Sequence, residues 1–199
     1  MLAWLGMLGW LACVVYSTIP AFWLLIHSRI GHWRSRTYLP YRALVPLWIG
    51  MWIVVGLISS PWHKLAFYHS GWAWFPAALL FAVGLWLYRA AGANFSKHQL
   101  YGLSELKMQN AEQRLAIIGI RSRVRHPVYL GHLCEMLAWA VGSGLAVCFA
   151  LAVFGIVTGA FMIRAEDAEL EQRFGEEYRV YRNSVPAILP RLGPANSRL

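Results

Sequence analysis

One stretch of the sequence combines a basic pair with a helix start, an arrangement that could bind an anion. Arg125 and His126 directly precede Pro127, and proline suits the first helical turn because its missing N–H costs nothing there. The free N–H groups of that turn, with the arginine and the histidine beside them, could hold a carboxylate or a similar group. The alternative is a basic collar whose side chains snorkel to lipid headgroups.

A second charged group follows about 40 residues later, after a long apolar stretch. It comprises Arg164, Glu166, Asp167 and Glu169. The acids could be a solvated helix N-terminus that the helix dipole favours. They could equally accept hydrogen bonds from the ribose hydroxyls or an amino group of a cofactor.

Two ionisable residues lie within the apolar stretch itself. His132 and Glu135 are three positions apart and so lie on neighbouring faces of one helix. Charged groups inside a membrane helix are expensive, so they either hydrogen-bond each other and the backbone between helices or line a polar cavity. The second interpretation makes His132 and Glu135 candidate substrate-binding residues.

The elements that position these residues are predicted to be membrane helices. The chain has 199 residues, of which 58% are hydrophobic and 14% charged, more apolar surface than one small soluble core can bury. About 20 apolar residues are needed for a helix to cross the bilayer. Five spans are predicted: residues 2–26, 43–60, 71–88, 128–141 and from a tight turn to residue 163. The turn consists of Gly142, Ser143 and Gly144, and it makes the last two spans a helix hairpin.

The positive residues set the predicted orientation, because short cytoplasmic loops hold the Lys and Arg excess. With five spans, Lys64 lies on one side and the other 17 of the 18 basic residues on the opposite side. The prediction is an integral membrane protein with its N-terminus outside and its C-terminus cytoplasmic, in the plasma membrane of a prokaryote or the endoplasmic reticulum of a eukaryote. The net charge of +9 then reflects topology and attraction to anionic lipid, and argues against a nucleic-acid partner.

We therefore expect an all-α polytopic membrane protein with a single domain over residues 1–199. Residues 1–90 hold the first three spans, and residues 91–199 hold a functional loop, the helix hairpin and a cytoplasmic helix. Apolar and acidic residues alternate at helical spacing over residues 164–181, which predicts one amphipathic helix.

The motifs of residues 92–192 resemble the isoprenylcysteine carboxyl methyltransferase family and its phospholipid N-methyltransferase relatives. Three motifs carry the resemblance, in the family's order: Arg125-His-Pro-Val-Tyr-Leu-Gly131, Arg164-Ala-Glu-Asp167 and Phe174-Gly-Glu-Glu-Tyr-Arg-Val-Tyr181. The family's pattern has an aromatic residue where this sequence has Arg121, and a second glutamate where it has Asp167.

The resemblance implies an S-adenosylmethionine-dependent carboxyl O-methyltransferase with a cofactor pocket on the cytoplasmic side. It implies no metal, and it places Glu166 in both catalysis and cofactor binding. Arg164 corresponds to the arginine beside the acceptor. The other implied cofactor-binding residues are Gln99, Gln113, Arg114, Leu115, Ala116, Arg125, His126, Pro127, Val128 and Tyr129.

The acceptor implied by the resemblance is lipophilic, such as the carboxylate of a prenylated cysteine or of a similar small lipid-like molecule. A phospholipid amine is the nearest alternative. The others are a membrane reductase of the sterol-reductase type that uses NADPH, and a non-catalytic protein with the same scaffold. The sequence lacks the G-x-G-x-x-G of a Rossmann domain and the histidine spacing of a di-iron or zinc site.

Overall fold

The computed structural model describes residues 2–34, 39–93, 115 and 117–189. In these residues the regular structure is helical, with one isolated bridge between Ala66 and Leu145. Three short 3-10 turns lie at Ser60–Trp62, Gly71–Ala73 and Gly119–Ser122. The helices are α1 Leu2–His27, α2 Ile30–Arg34, α3 Leu39–Ser59, α4 Trp74–Gly92, α5 Pro127–Ser143, α6 Ala146–Phe174 and α7 Glu176–Ser184.

Four helical segments of the described chain are long and apolar enough to cross a membrane: Trp4–His27, Arg42–Trp62, Gly71–Gly92 and Ala146–Phe174. They expose large apolar side chains, such as Leu57 at 70% and Ile58 at 64%. Contiguous exposed apolar surface of this kind needs lipid or a partner to cover it. The fold is that of a helical integral membrane protein.

The predicted fourth span, residues 128–141, lies on α5. This helix has 17 residues, which at ~1.5 Å per residue is about 25 Å and less than the roughly 30 Å of the hydrocarbon core. The fifth crossing therefore stays a prediction.

The predicted amphipathic helix differs from what the structure shows. Residues 164–181 were expected to form one amphipathic helix, but α6 continues without a break to Phe174, and α7 begins at Glu176. Gly175, at φ +58°, separates the two helices. With ψ at −128° the backbone of Gly175 leaves the helical region, and glycine adopts this conformation at little cost because it has no Cβ.

Glycines allow the helices around the candidate site to approach closely. A Cβ on Gly131 of α5 would lie 2.6 Å from the ring of Tyr88 on α4, and one on Gly155 of α6 would lie 2.8 Å from Met136 on α5. The missing side chains let α5 pack between α4 and α6. Because α5 holds both His126 at its start and Glu135 within it, this packing fixes both.

The turn between α5 and α6 is tight and consists of Gly144 and Leu145. Gly144 has φ +67°. The loop before α4 lies against this turn through two backbone hydrogen bonds, in which the N–H of Phe67 donates to Gly144 O and the N–H of Ala146 donates to Leu65 O, both at 2.9 Å.

Candidate functional site

Asp167 of α6 is the centre of a hydrogen-bonded cluster at the start of α5. Its Oδ1 accepts from the guanidinium of Arg125 at 2.7 Å and from the hydroxyl of Tyr178 at 2.5 Å, and it lies 3.1 Å from His126 Nε2. Hydrogen bonds to a charged acceptor are stronger than neutral ones. One carboxylate oxygen thus joins the entrance of α5, the middle of α6 and helix α7.

His126 lies between two carboxylates. Its Nδ1 is 3.2 Å from Glu166 Oε2, on the other side of the ring from Asp167, and the residue is only 5% exposed. Burial lowers the pKa of His126, but the charge of Glu166 and the hydrogen bonds to both acids outweigh it and raise the pKa to about 9. His126 is therefore an imidazolium at neutral pH, with Nε2 hydrogen-bonded to Asp167 and Nδ1 facing Glu166. The structure thus brings His126 and Glu166 close together.

The C-terminal segment holds the entrance of α5 in place. The backbone N–H of Arg125 donates to Pro186 O at 2.9 Å, and that of His126 donates to Ala187 O at 3.0 Å. Pro127, fully buried, then begins α5 without an N–H to satisfy. Backbone bonds of this kind orient both side chains independently of any ligand.

A second contact joins α7 to the loop before α5. The hydroxyl of Tyr181 donates to Arg121 O at 2.7 Å, and the Arg121 guanidinium donates to Ala91 O at 3.1 Å. Burial raises the pKa of Tyr181 to about 12 and lowers the pKa of Arg121 below its ordinary value. Arg121 thus stands where the family's pattern has an aromatic residue. Its guanidinium contacts α4, and its backbone carbonyl contacts α7.

The other predicted cofactor-binding residues fall into two groups. Leu115 packs against the apolar cluster of Tyr178, Tyr181 and Val185, close to the Asp167 cluster. Tyr129 has its ring 5.7 Å from that of His126, and Val128 follows Pro127 in the first turn of α5. The remaining predicted residues lie outside the described part of the chain: Gln99, Gln113, Arg114 and Ala116.

A polar and aromatic cluster lies one to two turns deeper on α5. His132 Nδ1 is 2.6 Å from Val128 O, so this nitrogen is the N–H and Nε2 carries the lone pair. The His132 ring lies 5.5 Å from that of Tyr16 and 5.3 Å from that of Tyr88. Glu135 packs against Gly84, where a Cβ would lie 2.7 Å from Oε1. The two predicted substrate residues, His132 and Glu135, thus share one cluster with Tyr16 and Tyr88.

Arg164 does not join the His126 cluster. Its side chain is exposed, and its guanidinium carbon lies 5.9 Å from the ring centre of Phe161. Two residues along a helix correspond to about 200° of rotation, so Arg164 and Glu166 lie on nearly opposite faces of α6. Arg164 is available at the surface rather than in the buried cluster.

Asp167 and Tyr178 are the organising residues that the sequence reasoning did not include among its site residues. Asp167 appeared among the acids of the second charged group and as a departure from the family's second glutamate, and Tyr178 appeared within the third motif of the resemblance. The sequence did contain a signal: a buried acid next to Glu166 needs cations or hydroxyl donors, and Arg125 and the tyrosines of α7 supply them.

The cluster retains capacity to bind a polar ligand. Within the described residues, the buried Nε of Arg125 has no hydrogen-bond partner. A carboxylate accepts up to about four hydrogen bonds, and the buried Oε2 of Glu166, although 3.2 Å from His126 Nδ1, has no hydrogen-bond partner among these residues either. The described residues contain no group of three or more metal-ligating side chains. An anionic acceptor and hydroxyl donors are the partners that these unused groups fit.

Comparison with known proteins finds two that are similar to parts of this chain. The chain is 32% identical over 87 residues to the protein-S-isoprenylcysteine O-methyltransferase of Schizosaccharomyces pombe, a match over 41% of this chain and 35% of that protein. The chain thus spans about a third of the length of this relative. No family model and no solved structure matches.

The chain also matches a small uncharacterized protein of Haemophilus influenzae. They are 36% identical over 59 residues, which is 29% of this chain and 94% of the other. The chain belongs to the same family as this small protein, whose name assigns no activity.

Proposed function

We propose that the protein is an S-adenosylmethionine-dependent methyltransferase of the membrane that acts on a lipophilic acceptor. The observation that carries this proposal is the 3.2 Å contact between His126, at the entrance of α5, and Glu166, on α6. It brings together the two motifs that the resemblance assigns to one cofactor pocket.

The chain's own residues fit the polar parts of the cofactor. Arg125 Nε is a buried donor that suits the carboxylate of the methionine moiety. Glu166 has acceptor capacity that suits the ribose hydroxyls, and the first-turn N–H groups of α5 would add donors. The proposed pocket also includes Leu115 and Tyr129, and Gln99, Gln113, Arg114 and Ala116 of the loop remain part of it as predictions.

When bound, S-adenosylmethionine supplies a methyl group that its sulfonium has already activated. Such a displacement requires alignment and desolvation of the acceptor more than acid catalysis. His126 cannot be a general base at neutral pH, because it is protonated and both of its ring nitrogens face carboxylates. Its role is to hold Glu166 in position and to balance its charge.

The acceptor is proposed to be the carboxylate of a prenylated cysteine or of a similar lipid-like molecule. An isoprenylcysteine is the acceptor that the name of the Schizosaccharomyces relative states. Arg164 is exposed where α6 continues past its apolar part, and an arginine there could pair with an acceptor carboxylate at the membrane surface. In this proposal the N-terminus and Lys64 lie outside, and the His126 cluster faces the cytoplasm, where the cofactor is made.

One observation favours a phospholipid amine as the second candidate acceptor. Glu135 is an acid within the helical part of the molecule, and the rings of Tyr16 and Tyr88 lie around the neighbouring His132. A carboxylate with aromatic faces suits an ammonium group and disfavours a second carboxylate. In that case His132 and Glu135 contact the acceptor's headgroup and Arg164 does not.

A methyl-transfer assay tests the function and separates the two acceptors. Purified protein is incubated with S-adenosylmethionine that carries a labelled methyl group, and with either a farnesylated cysteine analogue or phosphatidylethanolamine vesicles. Label in a base-labile ester of the first supports the carboxyl acceptor, and label on the amine of the second supports the alternative. Glu135→Gln should lower amine transfer more than about tenfold and should leave ester formation nearly unchanged. Absence of transfer to either acceptor would contradict the proposed acceptor class.

A further inference from the structure

A cavity of about 400 Å³ lies at the opposite end of α5 and α6 from His126. The 17 residues of α5, about 25 Å of helix, separate the two places. The cavity is lined by the polar side chains of Lys64, His69 and Ser70 and by the apolar side chains of Met7, Trp74 and Leu145. None of these residues belongs to the proposed methyltransferase site.

The loop that carries the polar wall is held firmly. Between Lys64 and His69, the loop forms the two backbone hydrogen bonds with the α5–α6 turn, and the hydroxyl of Tyr68 donates to Val141 O at 2.6 Å. The segment therefore presents Lys64 and His69 from a fixed backbone. A fixed backbone reduces the ordering cost of binding a ligand.

The segments that line the cavity include the cation of Lys64 and contain no carboxylate. Its lining comes from residues 6–7, 63–74 and 142–145, and the sequence contains no Asp or Glu in residues 1–104 or 136–165. The ammonium of Lys64 thus has no carboxylate from the segments that build the cavity. A compact anion that also accepts hydrogen bonds, such as a phosphate, fits Lys64, His69 and Ser70.

The apolar part of the cavity wall indicates what kind of molecule carries that anion. Met7, Trp74 and Leu145 form the rest of the wall, and next to the lining Phe67 and Trp72 are 70% and 79% exposed. Large exposed aromatic side chains are typical of the membrane–water interface. A ligand with a phosphate at one end and hydrocarbon at the other matches both walls.

We propose that this cavity binds the phosphate headgroup of an anionic membrane lipid, with Lys64 as the main contact to the phosphate and with Met7 and Leu145 beside the first part of its chains. The lipid is bound as a structural or regulatory ligand, in the leaflet opposite to the His126 cluster. This site is independent of the proposed methyl transfer and can be tested without S-adenosylmethionine.

Native mass spectrometry of the full chain in a neutral detergent is the test, with phosphatidylglycerol and phosphatidylcholine as the probes. We expect one phosphatidylglycerol to bind, and Lys64→Gln to weaken it about tenfold, the loss of one charge-assisted contact. Phosphatidylcholine should bind more weakly, because its headgroup is neutral overall. The control is Arg29→Gln, which removes the same charge from an exposed site at the other end of α1 and should change nothing.

A second variant distinguishes the cavity from the open surface. Met7→Trp fills the apolar wall and leaves Lys64 in place, so it should also weaken binding several-fold. Equal losses in Lys64→Gln and Arg29→Gln, or unchanged binding in Met7→Trp, would overturn the proposed cavity. Displacement of the lipid by glycerol phosphate at equal concentration would contradict the proposed lipid ligand and would indicate a site for free phosphate.

Discussion

The two ends of the α5–α6 pair are held together by different interactions. At the end with His126, charged side chains make the contacts: Arg125 and His126 with Asp167 and Glu166. At the turn end, backbone groups make them, through the hydrogen bonds of the loop with Gly144 and Ala146. Backbone bonds have no protonation state, so we expect the interactions at the turn end to be independent of pH and those at the His126 end to depend on it.

The difference matches the role that we propose for each end. A binding site for a polar cofactor needs buried charges whose spare hydrogen-bonding capacity a ligand can use, at some expense of stability. A turn that joins two membrane helices needs only satisfied backbone groups. The following experiments either break this contrast or measure its size.

The largest effect is expected from Asp167→Ala. It removes the oxygen shared by Arg125, His126 and Tyr178, and leaves two buried cations with fewer acceptors. Loss of one member of a buried ion pair destabilises by about 3–5 kcal/mol. The measurement is the free energy of unfolding in detergent.

The matched control for Asp167 is Glu171→Ala on the same helix. Glu171 pairs with Arg179 and Arg182 at the surface, each at 2.7 Å. Exposed pairs contribute little, so this variant should unfold like the parent protein. Similar losses in the two variants would mean that burial does not set the strength of the His126 cluster.

The next largest effect is a pH dependence of stability that arises at the His126 end only. The pKa of His126 is about 9 in the folded protein and about 6.5 unfolded. Because the folded pKa is higher, its contribution is fully present below pH 6.5 and is lost as the pH rises to about 9. The difference between the folded and unfolded pKa values corresponds to about 3 kcal/mol in the free energy of unfolding.

Thermal unfolding midpoints between pH 6 and pH 9.5 measure this dependence. They should fall with rising pH in the parent protein, and the slope should be much smaller in His126→Gln. An unchanged slope in His126→Gln would assign the dependence to another group. Gly144→Ala, at the other end, should keep the parent slope.

Gly144→Ala tests the turn end. At φ +67° an alanine is strained, and its Cβ would also collide with the carbonyl oxygen of Tyr68. We expect a loss of about 2 kcal/mol or more in the free energy of unfolding. A loss of only about 1 kcal/mol, the cost of the left-handed conformation alone, would show that the contact with the loop contributes nothing.

The long apolar helices could be predicted from the sequence, whereas a helix end set by one backbone conformation could not. The apolar runs predicted α1, α3 and α4 well, because lipid requires long uninterrupted apolar segments. The boundary between α6 and α7 was missed, because the amphipathic pattern continues through Gly175 and only the backbone conformation of that residue separates the two helices.

The site was predictable in part. The motif order pointed to His126 and Glu166, which are in contact. Arg164 was expected with them, but helical rotation puts it on another face of α6, and sequence proximity hides that difference. Asp167 and Tyr178 were missed because their partnership depends on how α7 folds back, which no periodicity reveals.

A smaller effect is expected from Tyr178→Phe. It removes the hydroxyl that donates to Asp167, a bond to a charged acceptor that contributes about 2 kcal/mol. Tyr68→Phe removes a hydroxyl that donates to the Val141 carbonyl at the turn end, where about 1 kcal/mol or less is expected. If Tyr68→Phe destabilised the protein more than Tyr178→Phe, the turn end would depend on side chains after all.

The most direct test of the central claim is calorimetric titration of the purified protein with S-adenosylmethionine. We expect binding at micromolar strength, loss of most of that binding in Glu166→Gln, and no change in Glu171→Gln, the surface control on the same helix. Heat from NADPH instead of S-adenosylmethionine, or equal binding by the parent protein and Glu166→Gln, would contradict the claim that His126 and Glu166 together form the cofactor site.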